Sequence, residues 1–399
     1  MTQTSSHTDI SQNATLLWLM AVACGVCAGV NYYSQPLIAS LQIYFQVPES
    51  QVALTVTFAQ VSYALGLLLI VPLGDILNKR RLIPILMNLT ACGLLLCAFA
   101  VNLEMLWIGT IMAGLFSVAA QVLIPLAAMS TKPEKTGEVV GRLMTGLLVG
   151  ILCSTSLAGL LSYLFHWNII YICSAIVLIL LSMILKPRLP TSMLHRHRYI
   201  QVLISMGSLL KQHPRLLYRS CIGAGVFASM SILFSTIALL MHSKFQLSDV
   251  LIGMITLVGV FGALSTQYVG KFADQGYTHL ISWIGLALML CSWGFLYTGQ
   301  WILACYVIGF ALINLGLACV HTSNQNVIFR LEPHAKSRIN SIYMTSYFIG
   351  GASGSALGAA AYQYGGWIMS CYVGVALVAF AALCCVLDQR LADQQTSAS

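Results

Sequence analysis

Twelve apolar stretches, each long enough to cross a lipid bilayer as a helix, divide this chain of 399 residues. A transmembrane helix needs about 20 apolar residues, so twelve of them occupy about 240 residues and leave room for short connections. Lipid offers the backbone no hydrogen-bond partners, so we predict helices throughout. The predicted spans are Leu16–Ile38, Val52–Leu73, Leu82–Ala100, Met105–Met129, Leu143–Tyr163, Ile169–Leu185, Cys221–Met241, Val250–Val269, Leu280–Tyr297, Trp301–Val320, Ile342–Tyr362 and Ile368–Leu387.

The basic residues are distributed unevenly among the connections. Of the 19 lysines and arginines, 18 fall in alternate connections, and only Lys244 falls in the other set. Basic residues beside a span resist translocation, so this bias predicts that both termini lie in the cytoplasm. The net charge of +8 then lies along one membrane face, which favours the lipid bilayer over nucleic acid as a partner. A composition with 58% hydrophobic and 8% charged residues excludes an ordinary soluble protein.

The longest connection separates two halves that share landmarks at one spacing. Asp75 and Asp274 each follow the second span of their half and lie 199 residues apart, while Trp167 and Trp367, which open the sixth spans, lie 200 residues apart. This spacing predicts two pseudo-symmetric six-helix bundles, an arrangement typical of secondary transporters with a site between the halves. We expect an N-terminal bundle at 1–185, a cytoplasmic connecting loop at 186–220 and a C-terminal bundle at 221–399.

The spans contain no arrangement of residues that an enzyme would need. No Asp, Glu, Lys or Arg lies deep within a predicted span, and the sequence has no nucleophile elbow, zincin motif or phosphate-binding loop. Cys24 and Cys27 have the spacing of a redox or metal motif, but they lie in an apolar helix, where cysteine is usually a small packing residue. We therefore predict neither an enzyme, nor a metal site, nor a cofactor.

Uncharged polar residues recur at helical spacing on the first and fourth spans of each half. Asn31 and Gln35 lie one turn apart, and Gln121 and Asn314 occupy the two fourth spans. An amide that faces lipid lacks partners, so these side chains should face a wet cavity or, alternatively, should hydrogen-bond between helices. The predicted substrate cavity comprises Asn31, Tyr32, Gln35, Tyr63, Gln121, Phe227, Asn314 and Tyr347.

Two charged loops carry the most specific motif in the chain. The stretch from Pro72 to Arg81 places Asp75 ahead of three consecutive basic residues, and the stretch from Gly270 to Gly276 repeats the pattern around Asp274 without the trailing cations. The chain here resembles the major facilitator superfamily and its loop motif between helices 2 and 3, although the first copy lacks two of the motif glycines. The segments around 31–37 and 321–355 are similar to bacterial efflux-type members of the drug:proton antiporter and sugar-efflux kind.

The resemblance implies roles for the charged residues at the helix ends. In that family the loop aspartate locks the outward-facing state by contacting a cation and the N-terminal end of helix 11. In this chain Asp75 would then pair with Arg142, and by the repeat Asp274 would pair with Arg338. His321 is the only histidine close to a polar stripe and is a candidate for proton coupling, with a structural role at the membrane edge as the alternative. The implied gating network comprises Asp75, Lys79, Arg80, Arg81, Arg142, Asp274 and Arg338.

These observations favour one function and leave two others open. We expect a monomeric secondary transporter of the bacterial inner membrane that exports a small organic solute by alternating access, coupled to protons. The absence of fixed charge along the predicted path suggests a neutral or amphiphilic substrate. Proton-linked uptake of a sugar or metabolite is the first alternative, because a fold does not set the direction of transport. A non-transporting membrane sensor or scaffold is the second.

Overall fold

The computed structural model describes residues 9–191, 199–247, 251, 254–255, 257–332 and 335–397, and in these ranges the chain contains helices and no β-strand. The chain forms two compact units. The first consists of Met1–Leu203 together with Pro333–Ser341, and the second consists of Ile204–Glu332 together with Ile342–Ser399. The short described stretch at 335–341 therefore belongs by its contacts to the first unit, although it precedes the last part of the second unit in the sequence.

The helices are numbered in chain order over the described residues. The first eight are α1 (Ala14–Gly29), α2 (Ile38–Phe45), α3 (Glu49–Leu69), α4 (Lys79–Ala98), α5 (Leu103–Phe116), α6 (Ala119–Met129), α7 (Thr136–Leu164) and α8 (Ile169–Arg188). They are followed by α9 (Tyr199–Gln212), α10 (Pro214–Leu240), α11 (Val260–Phe272), α12 (Thr278–Thr298), α13 (Leu303–Leu331) and α14 (Lys336–Ser397). Tighter or wider turns connect several of them, at Val30–Tyr32, Gln35–Leu37, Val71–Asp75, Met241–Phe245 and Ala273–Tyr277.

Asparagine side chains fix the start of several helices. The Oδ1 atom of Asn13 accepts a hydrogen bond from the backbone N–H of Leu16 (3.0 Å), which begins α1. Asn78 accepts from Arg80 (3.0 Å) at the start of α4. Asn102 does the same at the start of α5. Each cap satisfies one backbone donor that the first helical turn leaves without a partner, so these polar residues mark the connections between apolar spans.

Ten helices of the described residues are long and apolar enough to cross a membrane by length and composition. The longest, α14, contains 62 residues, which is roughly 90 Å at the rise of an α-helix and about three times the thickness of a bilayer core. It is not one straight rod, because Gly365 and Gly366 inside it have non-helical backbone angles. Gly366 has φ 64° and ψ −159°, a region that is essentially restricted to glycine.

Small residues bring helices of the same unit into close backbone contact. A Cβ atom added at Gly150 of α7 would lie 2.2 Å from the Cα atom of Gly25 in α1. In the second unit, a Cβ atom at Gly354 of α14 would lie 2.1 Å from the carbonyl oxygen of Ala228 in α10. Both positions therefore require glycine for packing, as expected for small residues at four-residue spacing in membrane helices.

The described helices refine the sequence-based expectations at several points. The predicted span Met105–Met129 lies within one candidate membrane span, Leu103–Met129, in which a break separates α5, ending at Phe116, from α6, beginning at Ala119. The described part of the predicted loop at 186–220, residues 186–191 and 199–220, is largely helical, since α8 continues to Arg188, α9 spans Tyr199–Gln212 and α10 begins at Pro214. Just outside the predicted spans Cys221–Met241 and Ile368–Leu387, two charged residues that the sequence pattern does not place in the interior, Arg219 and Asp388, are fully buried (0% exposed). The predicted span Val250–Val269 begins outside the described residues, within which α11 begins at Val260.

Candidate functional site

Asp75 is the centre of a buried polar cluster in the first unit. It ends the turn Val71–Asp75 that follows α3, and its carboxylate accepts hydrogen bonds from the backbone N–H groups of Ser337 and Arg338, both at 3.1 Å. These two groups lie in the first turn of α14, where unsatisfied N–H groups and the helix dipole favour an anion. The side chain of Arg338 adds a charge-assisted bond from Nε at 3.0 Å, and Lys79 Nζ lies 3.8 Å from the carboxylate.

Asp75 therefore contacts the N-terminal end of α14, but the predicted ion pairs Asp75–Arg142 and Asp274–Arg338 are wrong. Arg142 binds Glu138 (2.7 Å), which lies one turn away on α7, and Asp75 instead binds Arg338. In the second unit, Asp274 binds Arg330 (3.2 Å) and Asn326 (2.9 Å) on α13. A local partner at helical spacing competes well with a distant one, because it requires little additional ordering of the side chain.

The other two arginines of the first motif copy differ in their surroundings. Arg80 donates from Nε to the carbonyl oxygen of Lys186 (3.0 Å) and from Nη2 to that of Pro187 (2.8 Å). These carbonyls belong to the last turn of α8, where backbone acceptors lack helical partners and a cation is favourable. Arg81 is exposed. The basic run of the motif thus includes one side chain that caps a neighbouring helix and one that is free to reach solvent or lipid headgroups.

Residues 335–341, which we call the clasp segment, bind the first unit at several points besides Asp75. Lys336 Nζ donates to the carbonyl oxygen of Ala128 (3.0 Å), and the hydroxyl of Ser341 donates to that of Leu67. Asn340 Nδ2 lies within hydrogen-bond distance of both the backbone oxygen (3.0 Å) and the side-chain oxygen (3.1 Å) of Gln121. The clasp segment is therefore held through polar contacts with α3, α6 and the turn after α3.

A proline explains why the backbone oxygen of Gln121 is available to the clasp segment. In a regular helix this oxygen would accept the N–H of the residue four positions later, which here is Pro125. Proline has no N–H, so the oxygen remains free inside α6. Asn340 takes the vacant place at 3.0 Å. The sequence predicts Gln121 as a cavity residue but does not indicate Asn340, whose role depends on a contact across 219 residues.

The predicted cavity residues of the first unit fall into two environments. Gln121 is buried and donates from Nε2 to the hydroxyl of Tyr63 (3.3 Å), and Asn31 donates from Nδ2 to the hydroxyl of Ser117 (3.0 Å). Tyr32 is half-buried and Gln35 is exposed. Interhelical hydrogen bonding, the alternative explanation for these amides, therefore accounts for part of the contacts of Gln121 and Asn31.

A small cavity of about 10 Å³, lined mostly by apolar surface, lies beside Asn31 in the first unit. Asn31 and Tyr171 are among its lining residues, and neither the Oδ1 atom of Asn31 nor the hydroxyl of Tyr171 has a hydrogen-bond partner among the described residues. Thr110 and Cys97 also line it and contact each other at 3.6 Å. A volume of this size is about the smallest that holds one water molecule.

The predicted cavity residues of the second unit form an aromatic group. Phe227 and Tyr347 stack with ring centroids 4.0 Å apart and an interplanar angle of 13°. The ring of His321 lies 4.8 Å from that of Tyr347, and its Nδ1 atom lies 2.9 Å from the hydroxyl of Tyr343. Asn314 is not part of this group, because it donates to the carbonyl oxygen of Phe310 within its own helix (2.8 Å).

A buried ion pair that no local sequence pattern indicates lies near the ends of α10 and α14. Arg219 donates to Asp388 Oδ2 from Nη2 (2.6 Å) and Nε (2.9 Å), and Arg215 donates to the same carboxylate at 3.1 Å. The remaining terminal nitrogen, Nη1, donates to Ser282 and to Asn324, both at 3.0 Å. Such a pair is tolerated without water only because nearly every donor and lone pair is satisfied.

No group of three or more His, Cys, Asp or Glu side chains that could hold a metal ion occurs among the described residues.

Comparisons with known proteins agree on one family. The family model for the Major Facilitator Superfamily matches residues 19–352. The uncharacterized transporter YgaY of Escherichia coli O157:H7 is 40% identical over 364 residues, which cover 91% of this chain and 92% of that protein. Among solved structures, the human organic anion transporter MFSD10 has a TM-score of 0.76 at 14% identity and covers 94% of this chain and 98% of its own. The proton:xylose symporter XylE has a TM-score of 0.71 at 14% identity, and the match covers 94% of this chain and 95% of XylE. At these identities the two structures indicate the shared fold.

Proposed function

Because the chain belongs to the Major Facilitator Superfamily and is a multi-pass membrane transporter of that type, we propose that it exports a small organic solute across the bacterial inner membrane. Export would proceed by alternating access and would be coupled to protons, with the protein acting as a monomer. The observation that carries the proposal is the set of hydrogen bonds between Asp75 and the clasp segment.

The proposed topology has twelve crossings with both termini in the cytoplasm. Two of the ten candidate spans, Val260–Thr298 (39 residues) and Lys336–Gln394 (59 residues), are each long enough for two crossings and contain glycines outside helical geometry. The backbone N–H of Ile10 donates to the carbonyl oxygen of Ser130 (3.0 Å), beside the basic connection with Lys132. An even number of crossings then returns the C-terminus to the side of the N-terminus.

Asp9 lies close to the same basic connection as Ile10. A hydrogen bond from Ser11 lowers the pKa of the Asp9 carboxyl, and the charges of Lys132 and Lys135 lower it further. These two lysines belong to a connection that the distribution of basic residues assigns to the cytoplasm. The proposed organisation remains an N-terminal bundle at 1–185, a connection at 186–220 and a C-terminal bundle at 221–399.

The proposed gate is the carboxylate of Asp75 with Lys79 and Arg338. Removing this carboxylate from the helix N-terminus would weaken the binding of the clasp segment, which would keep its contacts with Gln121, Ala128 and Leu67. A charge-assisted hydrogen bond contributes about 1.5–3 kcal/mol, enough to bias a two-state equilibrium by a factor of roughly 10 to 100. Such a bias suits a contact that must hold one state and still open in every cycle. Arg80, Arg81, Arg142, Asp274 and Arg338 complete the proposed charge network at the helix ends.

The proposed substrate contacts come from uncharged residues. Asn31, Tyr32, Gln35, Tyr63 and Gln121 would contribute from the first unit. Phe227, Asn314 and Tyr347 would contribute from the second, where the stacked pair of Phe227 and Tyr347 offers a flat apolar surface. None of these residues carries a fixed charge, so a neutral or amphiphilic solute is favoured over a permanently charged one.

His321 is the proposed site of proton coupling. It is a buried imidazole beside the proposed substrate contacts of Tyr347, and histidine changes its charge near neutral pH when unperturbed. Replacement by Gln should keep hydrogen bonding but remove titration, so transport by His321→Gln should lose its dependence on pH. An unchanged pH profile would exclude His321 as the proton carrier.

The function is tested by recording proton-coupled currents from proteoliposomes on a solid-supported membrane. A panel of sugars, nucleosides and amphiphilic dyes is applied to the wild type and to Asp75→Asn, with Asp9→Asn as a matched control that also neutralises a carboxylate accepting a backbone hydrogen bond but lies outside the proposed charge network. Proton exchange against a solute that leaves the cytoplasmic side supports export. Movement of proton and solute in the same direction indicates uptake, and the absence of flux for every compound, despite growth effects of the gene, indicates a sensor or scaffold.

A further inference from the structure

Arg219, the fully buried arginine of α10, is joined to His321 by an unbroken series of hydrogen bonds within the second unit. Arg219 Nη1 donates to Asn324 Oδ1 (3.0 Å), and Asn324 Nδ2 donates to the hydroxyl of Tyr343 (3.4 Å). The same hydroxyl lies 2.9 Å from His321 Nδ1. Asp388 fixes the other end of the series through its bonds to the guanidinium.

Each bond in this series has only one allowed direction. A guanidinium can donate but cannot accept, so the oxygen of the Asn324 amide must face Arg219. The amide nitrogen of Asn324 also donates to the backbone carbonyl of Arg219 (3.3 Å), and a carbonyl can only accept. Two contacts with one residue thus fix the amide orientation, and the NH₂ group faces the oxygen of Tyr343.

The Tyr343 hydroxyl determines which imidazole nitrogen of His321 can carry hydrogen. Its oxygen already accepts from Asn324, and the only acceptor within reach of its hydroxyl hydrogen, among the described residues, is His321 Nδ1. If His321 carried hydrogen on Nδ1 instead, two donors would point at one hydroxyl and the buried hydroxyl hydrogen would have no acceptor. A buried unsatisfied donor is costly, so the arrangement with hydrogen on Nδ1 is disfavoured.

We propose that Arg219 and Asp388 are positioning residues that fix His321 as the tautomer with hydrogen on Nε2. The imidazole then presents Nε2–H as a donor, and taking up a further proton on Nδ1 requires the Tyr343 hydroxyl to turn away. A further consequence rests on the proposed function: the transported solute carries an oxygen or nitrogen atom that accepts a hydrogen bond from Nε2–H of His321. The network thereby links an ion pair near the ends of α10 and α14 to the proposed coupling residue.

The test is ¹⁵N solid-state NMR of the full chain in lipid nanodiscs, with histidine selectively labelled and no solute present. The His321 signals are assigned by their loss in His321→Gln. In the wild type at neutral pH we expect one tautomer, with hydrogen on Nε2. In Asn324→Leu, which interrupts the series, we expect signals of both tautomers. Ser282→Ala is the matched control, because Ser282 accepts from the same Arg219 nitrogen at the same distance but does not contact Tyr343.

Tyr343→Phe gives a second variant that keeps the ring and should fold if Asn324→Leu does not; it should also yield mixed tautomers. The proposal is overturned if the wild type shows hydrogen on Nδ1, if Asn324→Leu or Tyr343→Phe leaves one tautomer, or if Ser282→Ala mixes the tautomers to the same degree. The NMR measurement needs no transported solute. A failure to find transport would therefore leave this result intact, and a wrong tautomer would leave the export proposal intact.

Discussion

Asp75 shows how one carboxylate can serve a helix end and an arginine together. It receives two backbone hydrogen bonds and one side-chain hydrogen bond, all between 3.0 and 3.1 Å, from Ser337 and Arg338. The loop motif predicts that Asp75 contacts the N-terminal end of the eleventh span, and this contact is present at the start of α14. The motif does not predict which cation binds Asp75, because Arg142 and Arg338 are both basic residues just before a span. In the structure Arg142 binds Glu138, whereas Arg338 binds Asp75.

Asp75→Asn should reduce transport about tenfold or more while insertion into the membrane stays normal. The amide nitrogen would face donors on Ser337 and Arg338, and a charge-assisted interaction of about 1.5–3 kcal/mol would be lost from the state that holds the clasp segment. Efflux from proteoliposomes measures the effect. Asp9→Asn, which neutralises a carboxylate that accepts a backbone hydrogen bond from Ser11 outside the proposed charge network, should transport at close to the wild-type rate. Full activity of Asp75→Asn would remove Asp75 from the gating mechanism.

Asp388→Asn should lower stability by about 3–5 kcal/mol, because it leaves the buried guanidinium of Arg219 without a counter-charge. Thermal unfolding followed by tryptophan fluorescence in detergent measures the change. Asp274→Asn is the control, since its partner Arg330 is 48% exposed and can be hydrated when the carboxylate is lost. Equal losses in the two variants would contradict the importance of burial for the Arg219–Asp388 pair.

At the scale of elements, the apolar pattern predicts where helices lie but does not predict where they end. The predicted spans stop at the first charged residue, so the seventh span was predicted to begin at Cys221 and the twelfth to end at Leu387. In the structure α10 begins at Pro214 and α14 runs past Asp388. Arg219 and Asp388 fall outside the predicted spans because they are charged, although it is their charges that pair inside the folded unit. Their pairing across 169 residues has no signature in the local pattern.

Hydropathy also does not predict the break between α5 and α6. Both sides of it are apolar, so the window over Met105–Met129 reads as one span. Pro125 signalled a free carbonyl at Gln121, but no residue in the same helix satisfies it. Its partner Asn340 lies in the clasp segment, and a contact of this kind emerges only from the folded chain.

Gly366→Ala should destabilise the protein by about 1–3 kcal/mol, because φ 64° and ψ −159° are accessible to glycine and strained for alanine. The change interrupts the turn that divides α14, and thermal unfolding in detergent measures it. Gly294→Ala is the matched control: this glycine lies within α12 with no atom within 4 Å of an added Cβ, so alanine should be neutral or slightly stabilising. A neutral Gly366→Ala would argue against a sharp turn at this point.

At the scale of the whole molecule, the distribution of charge makes a prediction about sidedness. Single cysteines replacing Lys132 and Lys244, in a background without the 13 native cysteines, should react with a membrane-impermeant maleimide from opposite sides. Both lysines are exposed, so labelling should not require unfolding. Inverted vesicles should label the cysteine at 132 and intact cells the cysteine at 244. Labelling of both from one side would overturn the proposed topology.

The central claim is that the clasp segment binds at Asp75 in one state and must leave it during transport. A Cβ atom at Gly74 would lie 2.9 Å from the hydroxyl oxygen of Ser337, close enough for a disulfide between cysteines at the two positions. We predict that oxidising Gly74→Cys/Ser337→Cys in the cysteine-free background abolishes efflux from proteoliposomes and that reduction restores it. Each single variant should transport under both conditions. Undiminished efflux by the fully cross-linked protein would contradict the account.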